Sequence, residues 1–155
     1  MTVRSVPASA VRPLRAEVLR PGRTPESLVY PGDDAPLAFH AGGFIGDEIH
    51  GIATVYPEPP PEANRGQIPE EAYGTPATFR LRGMATSDIA RSTGLGREVL
   101  LACFEHIRAS GGRFLWCNAR IGALGFYERM GWTAVGEEFD MPGIGGHYVM
   151  WIDLG

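Results

Sequence analysis

Residues 90–112 read "ARSTGLGREVLLACFEHIRASGG", and the folding of this stretch decides how the rest of the chain is read. Leu95, Val99, Cys103 and Ile107 recur at four-residue steps, with Arg97, Glu98, Glu105 and Arg108 set between them. That spacing predicts an amphipathic helix over Gly94 to Ala109, stopped by Gly111-Gly112. The lead-in, Arg91-Ser92-Thr93-Gly94-Leu95-Gly96, carries two hydroxyls and two glycines. Glycine lets a backbone approach a ligand closely, and the first N–H groups of a helix have no internal partner. With the helix dipole added, these residues make an anion cradle built largely from backbone, to which Arg91 or Arg97 could add a cation. On spacing alone an equal alternative stands, in which Thr93 simply caps the helix. A dinucleotide fold fits poorly, because Val99 stands where its fingerprint requires Gly or Ala.

Outward from the helix, apolar periodicity predicts strands and helices in alternation. Thr2 to Val6 reads as a strand, and Val11, Leu14 and Val18 lie on one face of a helix over Ala10 to Leu19. A hairpin follows, with strands over Pro36 to Phe44 and Glu48 to Tyr56 and a turn at Gly46-Asp47. The proline-rich, acidic segment from Pro57 to Pro76 reads as either a substrate-facing loop or a plain mobile one. Beyond it come a strand over Ala77 to Thr86, the helix, a strand over Phe114 to Asn118 and a helix over Gly122 to Met130. Strands over Trp132 to Phe139 and His147 to Leu154 complete the chain. Along Ala77 to Thr86 the alternation places Phe79, Leu81, Gly83 and Ala85 on one face, and Arg80, Arg82 and Met84 on the other. The pattern predicts one α/β domain, residues 1–155, around a mixed sheet.

The composition narrows the partners. The chain has 155 residues, 44% of them hydrophobic and 21% charged, with a formal charge of -4, which is ordinary for a globular protein. The acidic balance argues against a general nucleic-acid binder, and no run reaches the length of a membrane span. The fourteen basic residues are all arginine. Without lysine there is no Schiff-base catalyst and no Walker-type phosphate loop. Cys103 and Cys117 lie in apolar runs and read as buried thiols of a reducing, cytoplasmic compartment. No cluster has metal-ligand spacing, so no metal is expected.

Two further stretches carry a resemblance. "MATSDIARSTGLGREVLLACFEHI" followed by "FLWCNARIGALGFYERMGWTAVGEEF" resembles the GCN5-related N-acetyltransferases, the GNAT family. Arg91, Gly94 and Gly96 match its Arg/Gln-x-x-Gly-x-Gly/Ala signature, and Phe126-Tyr127 with Gly131-Trp132 match its second signature. The resemblance implies a mixed, mostly antiparallel sheet splayed around a CoA cleft, with helices on both faces. It implies acetyl-CoA as acetyl donor, with pantetheine on the backbone of Met84, Ala85 and Thr86. The pyrophosphate would lie on Arg91, Ser92, Thr93, Gly94, Leu95, Gly96 and Arg97, and Asn118, Phe126 and Tyr127 complete the implied contacts. Ser92 and Thr93 replace the family's frequent Gly-Arg or Gly-Lys pair, Arg120 stands where many relatives have Asn, and Asp88 replaces a proline.

Acetyl transfer to an amine needs a neutral amine, a stabilised oxyanion and a protonated leaving thiolate. An alkylamine with a pKa of ~10.4 is neutral in roughly one molecule in a few thousand at pH 7, so its proton must be removed. The Met84 N–H is the expected oxyanion donor. Tyr127 is the expected acid for the thiolate, the alternative being that it packs in a stripe with Ala123, Phe126 and Met130. Glu48, His50, Glu138 and His147 are the candidates for the base. His147 is favoured because the glycine-rich "MPGIGG" leaves room beside it. Arg80 and Arg82 either bind an anionic acceptor or pair with carboxylates such as Glu48 or Glu138. The expected acceptor is a small-molecule amine, and a homodimer is compatible with the sequence. The alternatives are a non-catalytic acyl-CoA-binding module and an enzyme that acetylates proteins or peptides.

Overall fold

A computed structural model describes residues 1–74 and 77–155. The hairpin forms as its turn chemistry dictates. Gly46, at φ +62°, joins β2 (Phe39–Ile45) to β3 (Glu48–Pro57), a conformation glycine adopts without steric cost. β1 (Thr2–Ser5) adds to β2 antiparallel, Thr2 opposite Phe44 and Ser5 opposite Ala41. Within the hairpin Gly43 faces Gly51 but Phe44 faces Ile49, so His50 is the extra residue of a bulge.

The remaining elements are α1 (Ala8–Leu14), which continues as a wider π-helical turn over Arg15–Leu19, then β4 (Thr78–Thr86), α2 (Leu95–Ala109), β5 (Phe114–Arg120), α3 (Leu124–Arg129), β6 (Thr133–Met141) and β7 (Gly145–Asp153). The strands form a seven-stranded mixed sheet of order β1-β2-β3-β4-β5-β7-β6. Two compact units divide the chain: Met1–Pro57 with Leu81–Ser110, and Glu58–Arg80 with Gly111–Gly155.

In the first unit, helices cover both faces of the hairpin. The expected stripe of α2, Leu95, Val99, Cys103 and Ile107, is fully buried. A Cβ on Gly43 would lie 2.8 Å from Val99 Cγ2, so the missing side chain is what lets α2 sit close. The opposite face carries Ile52, packed with Val11 and Leu14 of α1 and with Ala85 of β4. Ala85 therefore does not follow the strict alternation expected of β4. Gly83 sits at φ +64° and interrupts it, so Ala85 lies on the α1 side, where Arg82 stacks over Tyr30 at 4.1 Å.

α1 also carries a charge into this core. Arg15 is fully buried and donates to both carboxylate oxygens of Asp33, at 2.9 and 2.8 Å. It donates further to Thr54 Oγ1 and to the Leu28 carbonyl, each at 2.8 Å. His40 Nε2 lies 2.9 Å from the Asp33 carbonyl and its Nδ1 2.8 Å from Thr54 Oγ1. A carbonyl only accepts, so Nε2 carries a proton. Burial pushes the Asp33 carboxyl up, but the hydrogen bonds from Arg15 and the Tyr30 N–H, with the Arg15 charge and Arg12, bring it below the ordinary range.

In the second unit, β5 pairs parallel with β4 over Thr78–Arg80 and antiparallel with β7 from Phe114–Asp153 to Arg120–His147. The proline-rich segment proves to be part of this core rather than a plain mobile loop. Ile68 and Ala72 are buried with Phe114, Trp116 and Val149. Trp116 Nε1 donates to the Glu58 carbonyl at 3.0 Å, and Arg80 pairs with Glu58 at 3.0 Å while lying over Trp116. The carboxylate partner of Arg80 is thus Glu58, not Glu48 or Glu138. Thr75 and Pro76, at the end of that segment, lie outside the described residues.

Candidate functional site

β4 ends shortly before the stretch expected to cradle an anion, Arg91 to Arg97. The Ser87 N–H donates to the His50 carbonyl at 2.8 Å, and Ser87 Oγ lies 2.7 Å from His50 Nδ1. His50 Nε2 in turn lies 3.4 Å from the exposed Glu48 carboxylate. These contacts place His50, with Glu48 beside it, at Ser87, the residue that follows β4. Ser87 was not singled out in the sequence, since a lone serine after a strand gives no signal there.

A single turn of 3-10 helix, Asp88–Ala90, leads into the cradle. Ser92 then adopts φ +63° and Gly94 φ +89°. Ser92 is the one non-glycine residue with positive φ among the described residues, a conformation that L side chains disfavour. The two left-handed residues turn the chain sharply into α2, whose first full-turn hydrogen bond is Glu98 N–H to the Gly94 carbonyl, at 3.1 Å. The N–H groups of Gly96 and Arg97 precede that bond in the first turn of a helix of 15 residues.

The side chains of the cradle divide by role. The Thr93 hydroxyl donates to the Ala90 carbonyl and accepts from the Leu95 N–H, so it is engaged in holding the turn. Leu95 packs inward against Gly43 and Gly51 and offers only its backbone outward. Arg91, Ser92, Thr93, Gly94 and Arg97 are exposed. Arg91 pairs loosely with Asp88 at 3.5 Å, and Arg97 lies 3.7 Å from Glu98. Thr93 thus braces the turn one residue before the N-cap, Gly94, while Arg91 and Arg97 are exposed.

The second unit holds Asn118, Phe126, Tyr127 and His147. α3 closes in a tight motif: the Gly131 N–H donates to the Glu128 carbonyl at 3.0 Å and the Trp132 N–H to the Tyr127 carbonyl at 3.1 Å. Gly131, at φ +97°, supplies the left-handed residue this closure requires. The same closure brings Trp132 back onto Tyr127, ring centres 4.9 Å apart, with Phe126 edge-on at 5.3 Å. Tyr127 is 7% exposed and held between two aromatic rings. Asn118 stands on β5 opposite Val149. His147 is 3% exposed, its Nδ1 2.8 Å from the Gly145 carbonyl and its ring stacked on Phe139.

Burial pushes the Cys103 thiol up to about 12 and that of Cys117 higher still, the nearby Arg80 charge offsetting only part of the latter. Neither thiol is a nucleophile in its folded setting. Among the described residues, no group of three His, Cys, Asp or Glu could hold a metal, and no helix is long and apolar enough to cross a membrane.

Known proteins match this arrangement. The family model described as "Acetyltransferase (GNAT) domain" matches residues 70–150. An uncharacterized N-acetyltransferase, YitI of Bacillus subtilis (strain 168), is 33% identical over 154 residues, covering 99% of this chain and 97% of the relative. Among solved structures, Escherichia coli ElaA superposes with a TM-score of 0.71 at 16% identity, covering 97% of each chain. An aminoglycoside 6'-N-acetyltransferase complexed with coenzyme A superposes with a TM-score of 0.69 at 13% identity, covering 99% of this chain and 97% of that one. At such identities the two structures speak for the fold.

Proposed function

Because the chain belongs to the GNAT family and is thus an acetyl-CoA-dependent N-acetyltransferase, we propose that it passes the acetyl group directly to the amine of a small-molecule acceptor. The observation that carries the reading of the donor end is the pair of left-handed residues, Ser92 and Gly94. They present the amino end of a 15-residue helix to solvent, with exposed arginines at positions 91 and 97. Such a cradle suits a pyrophosphate, which needs several N–H donors and tolerates few carboxylates.

Acetyl-CoA supplies a thioester, and the chain's own residues do the rest. Ser92, Gly94, Gly96 and Arg97 would hold the phosphates by backbone, with Arg91 and Arg97 adding charge. The backbone of Met84, Ala85 and Thr86 would hold the pantetheine arm, the Met84 N–H facing the carbonyl oxygen as it gains negative charge. Tyr127 would give its phenolic proton to the departing thiolate. Its fixed ring supports this, because a general acid must be held in place to be effective.

For the amine's proton, the His50–Glu48 pair offers an acceptor open to water, a property that His147 lacks. Glu48 is exposed and can relay a proton to water, whereas His147 is enclosed and stacked. The two buried free cysteines fit a reducing compartment such as the cytoplasm.

Incubating the protein with acetyl-CoA and a panel of amines, while following free thiol, tests the reading. Acceptor-dependent release, reduced by about 10²-fold or more in kcat by Tyr127→Phe with CoA affinity retained, is expected. Tight CoA binding with no release across the panel would instead identify a binding module.

A further inference from the structure

Arg82 is a cation that the fold positions with care and does not neutralise. Its guanidinium carbon lies 4.1 Å from the centre of the Tyr30 ring. That of Arg15 lies 3.9 Å from the same centre. Two guanidiniums are thus held against one phenol ring. Arg15 has its counter-ion in Asp33, and Arg12 shares that carboxylate at 3.3 Å. Two guanidiniums thus already share that carboxylate. Among the described residues, no carboxylate lies within ion-pair distance of Arg82, which is half-buried on β4.

The stack is seated on the strand proposed to hold the acetyl donor. A Cβ on Gly83 would lie 3.0 Å from both Arg15 Nε and Tyr30 Cε2, so the pair rests directly against the irregular turn of β4. Asp33 fixes Tyr30 further by accepting its N–H at 3.1 Å. Arg82 stands two residues before Met84, with the left-handed Gly83 between them. A guanidinium stacked on an aromatic face keeps its in-plane N–H groups available, and those match a carboxylate in pairs.

Resting on the acetyl-transfer reading above, we propose that Arg82, held over Tyr30, anchors a carboxylate of the acceptor, so that the preferred substrate is an amine that also bears a carboxylate. Arg80, the other arginine of this strand, is already paired with Glu58 and does not share the role. The anchor acts in binding, so its loss appears in KM rather than in kcat.

The test compares acceptors matched in their amine: β-alanine against propylamine, and 4-aminobutyrate against butylamine, each with acetyl-CoA and thiol detection. The wild-type protein is expected to favour the carboxylates in kcat/KM by roughly tenfold to a hundredfold, the range of one charge-assisted hydrogen-bonded pair. Arg82→Gln should bring the ratio close to one through KM, Arg82→Lys should keep part of it, and Arg23→Gln, an exposed change of equal charge, should leave it intact. Thermal unfolding of each variant separates loss of the anchor from loss of the fold. Equal or better use of the neutral amines by the wild type, or a ratio that survives Arg82→Gln, overturns the proposal and leaves acetyl transfer standing. Failure of every amine overturns both.

Discussion

Arg15 and Asp33 form a two-pronged ion pair in which both side chains are fully buried. The partners come from the π-helical turn after α1 and from the loop before β2, which are 18 residues apart. A buried pair of this kind adds little when intact and costs much when halved, because the remaining charge has no solvent. Asp33→Asn should therefore destabilise the protein by about 3–5 kcal/mol, read from urea unfolding at pH 7. Since the folded carboxyl lies below its unfolded value, the pair contributes fully above the ordinary aspartate range near ~3.9 and is lost as pH falls through the lowered folded value. The wild type should lose that increment in acid, and Asp33→Asn should show a flatter acid limb.

Gly43 and Val99 set how closely α2 approaches the hairpin. A methyl group at Gly43 would meet Val99 and Leu95 at 2.8 and 2.9 Å, and at Gly51 the nearest atoms are 3.3 Å away. Both neighbours are fully buried and have no room to move aside. Gly43→Ala should cost about 1–3 kcal/mol and Gly51→Ala clearly less, measured by thermal unfolding.

Gly94 has open space around it, so a substitution there is penalised only through its φ of +89°. Gly94→Ala should weaken CoA binding and lower stability by about 1 kcal/mol, whereas Gly94→Asn, which tolerates the left-handed region, should recover most of both. Calorimetric titration with CoA measures the first effect. Unchanged affinity in Gly94→Val would remove the phosphate-cradle assignment.

Cys103 and Cys117 should both resist a thiol-reactive chromophore at pH 8 in the folded protein and react together on unfolding. Their thiolates are disfavoured by burial, Cys103 titrating only near 12. Fast reaction of either thiol in native buffer would contradict the packing described for it.

The order of the elements, the turn at Gly46 and the buried stripe of α2 were legible in the sequence, because each rests on spacing along one segment. The family signatures, Arg91, Gly94 and Gly96 with Phe126-Tyr127 and Gly131-Trp132, were legible for the same reason, since each lies within one short segment. Arg15 left a faint signal, since it occupies the apolar face marked by Val11, Leu14 and Val18. Nothing local could say that its partner is Asp33, that Tyr30 carries both Arg15 and Arg82 over its ring, or that Ile68 and Ala72 belong to the core. Those contacts join residues far apart in the chain, and long-range pairing is selected by the packing of the whole and not by any window of sequence. The interruption at Gly83 makes the same point within one strand: strict alternation predicted the wrong face for Ala85, because a single residue of positive φ resets every side chain after it.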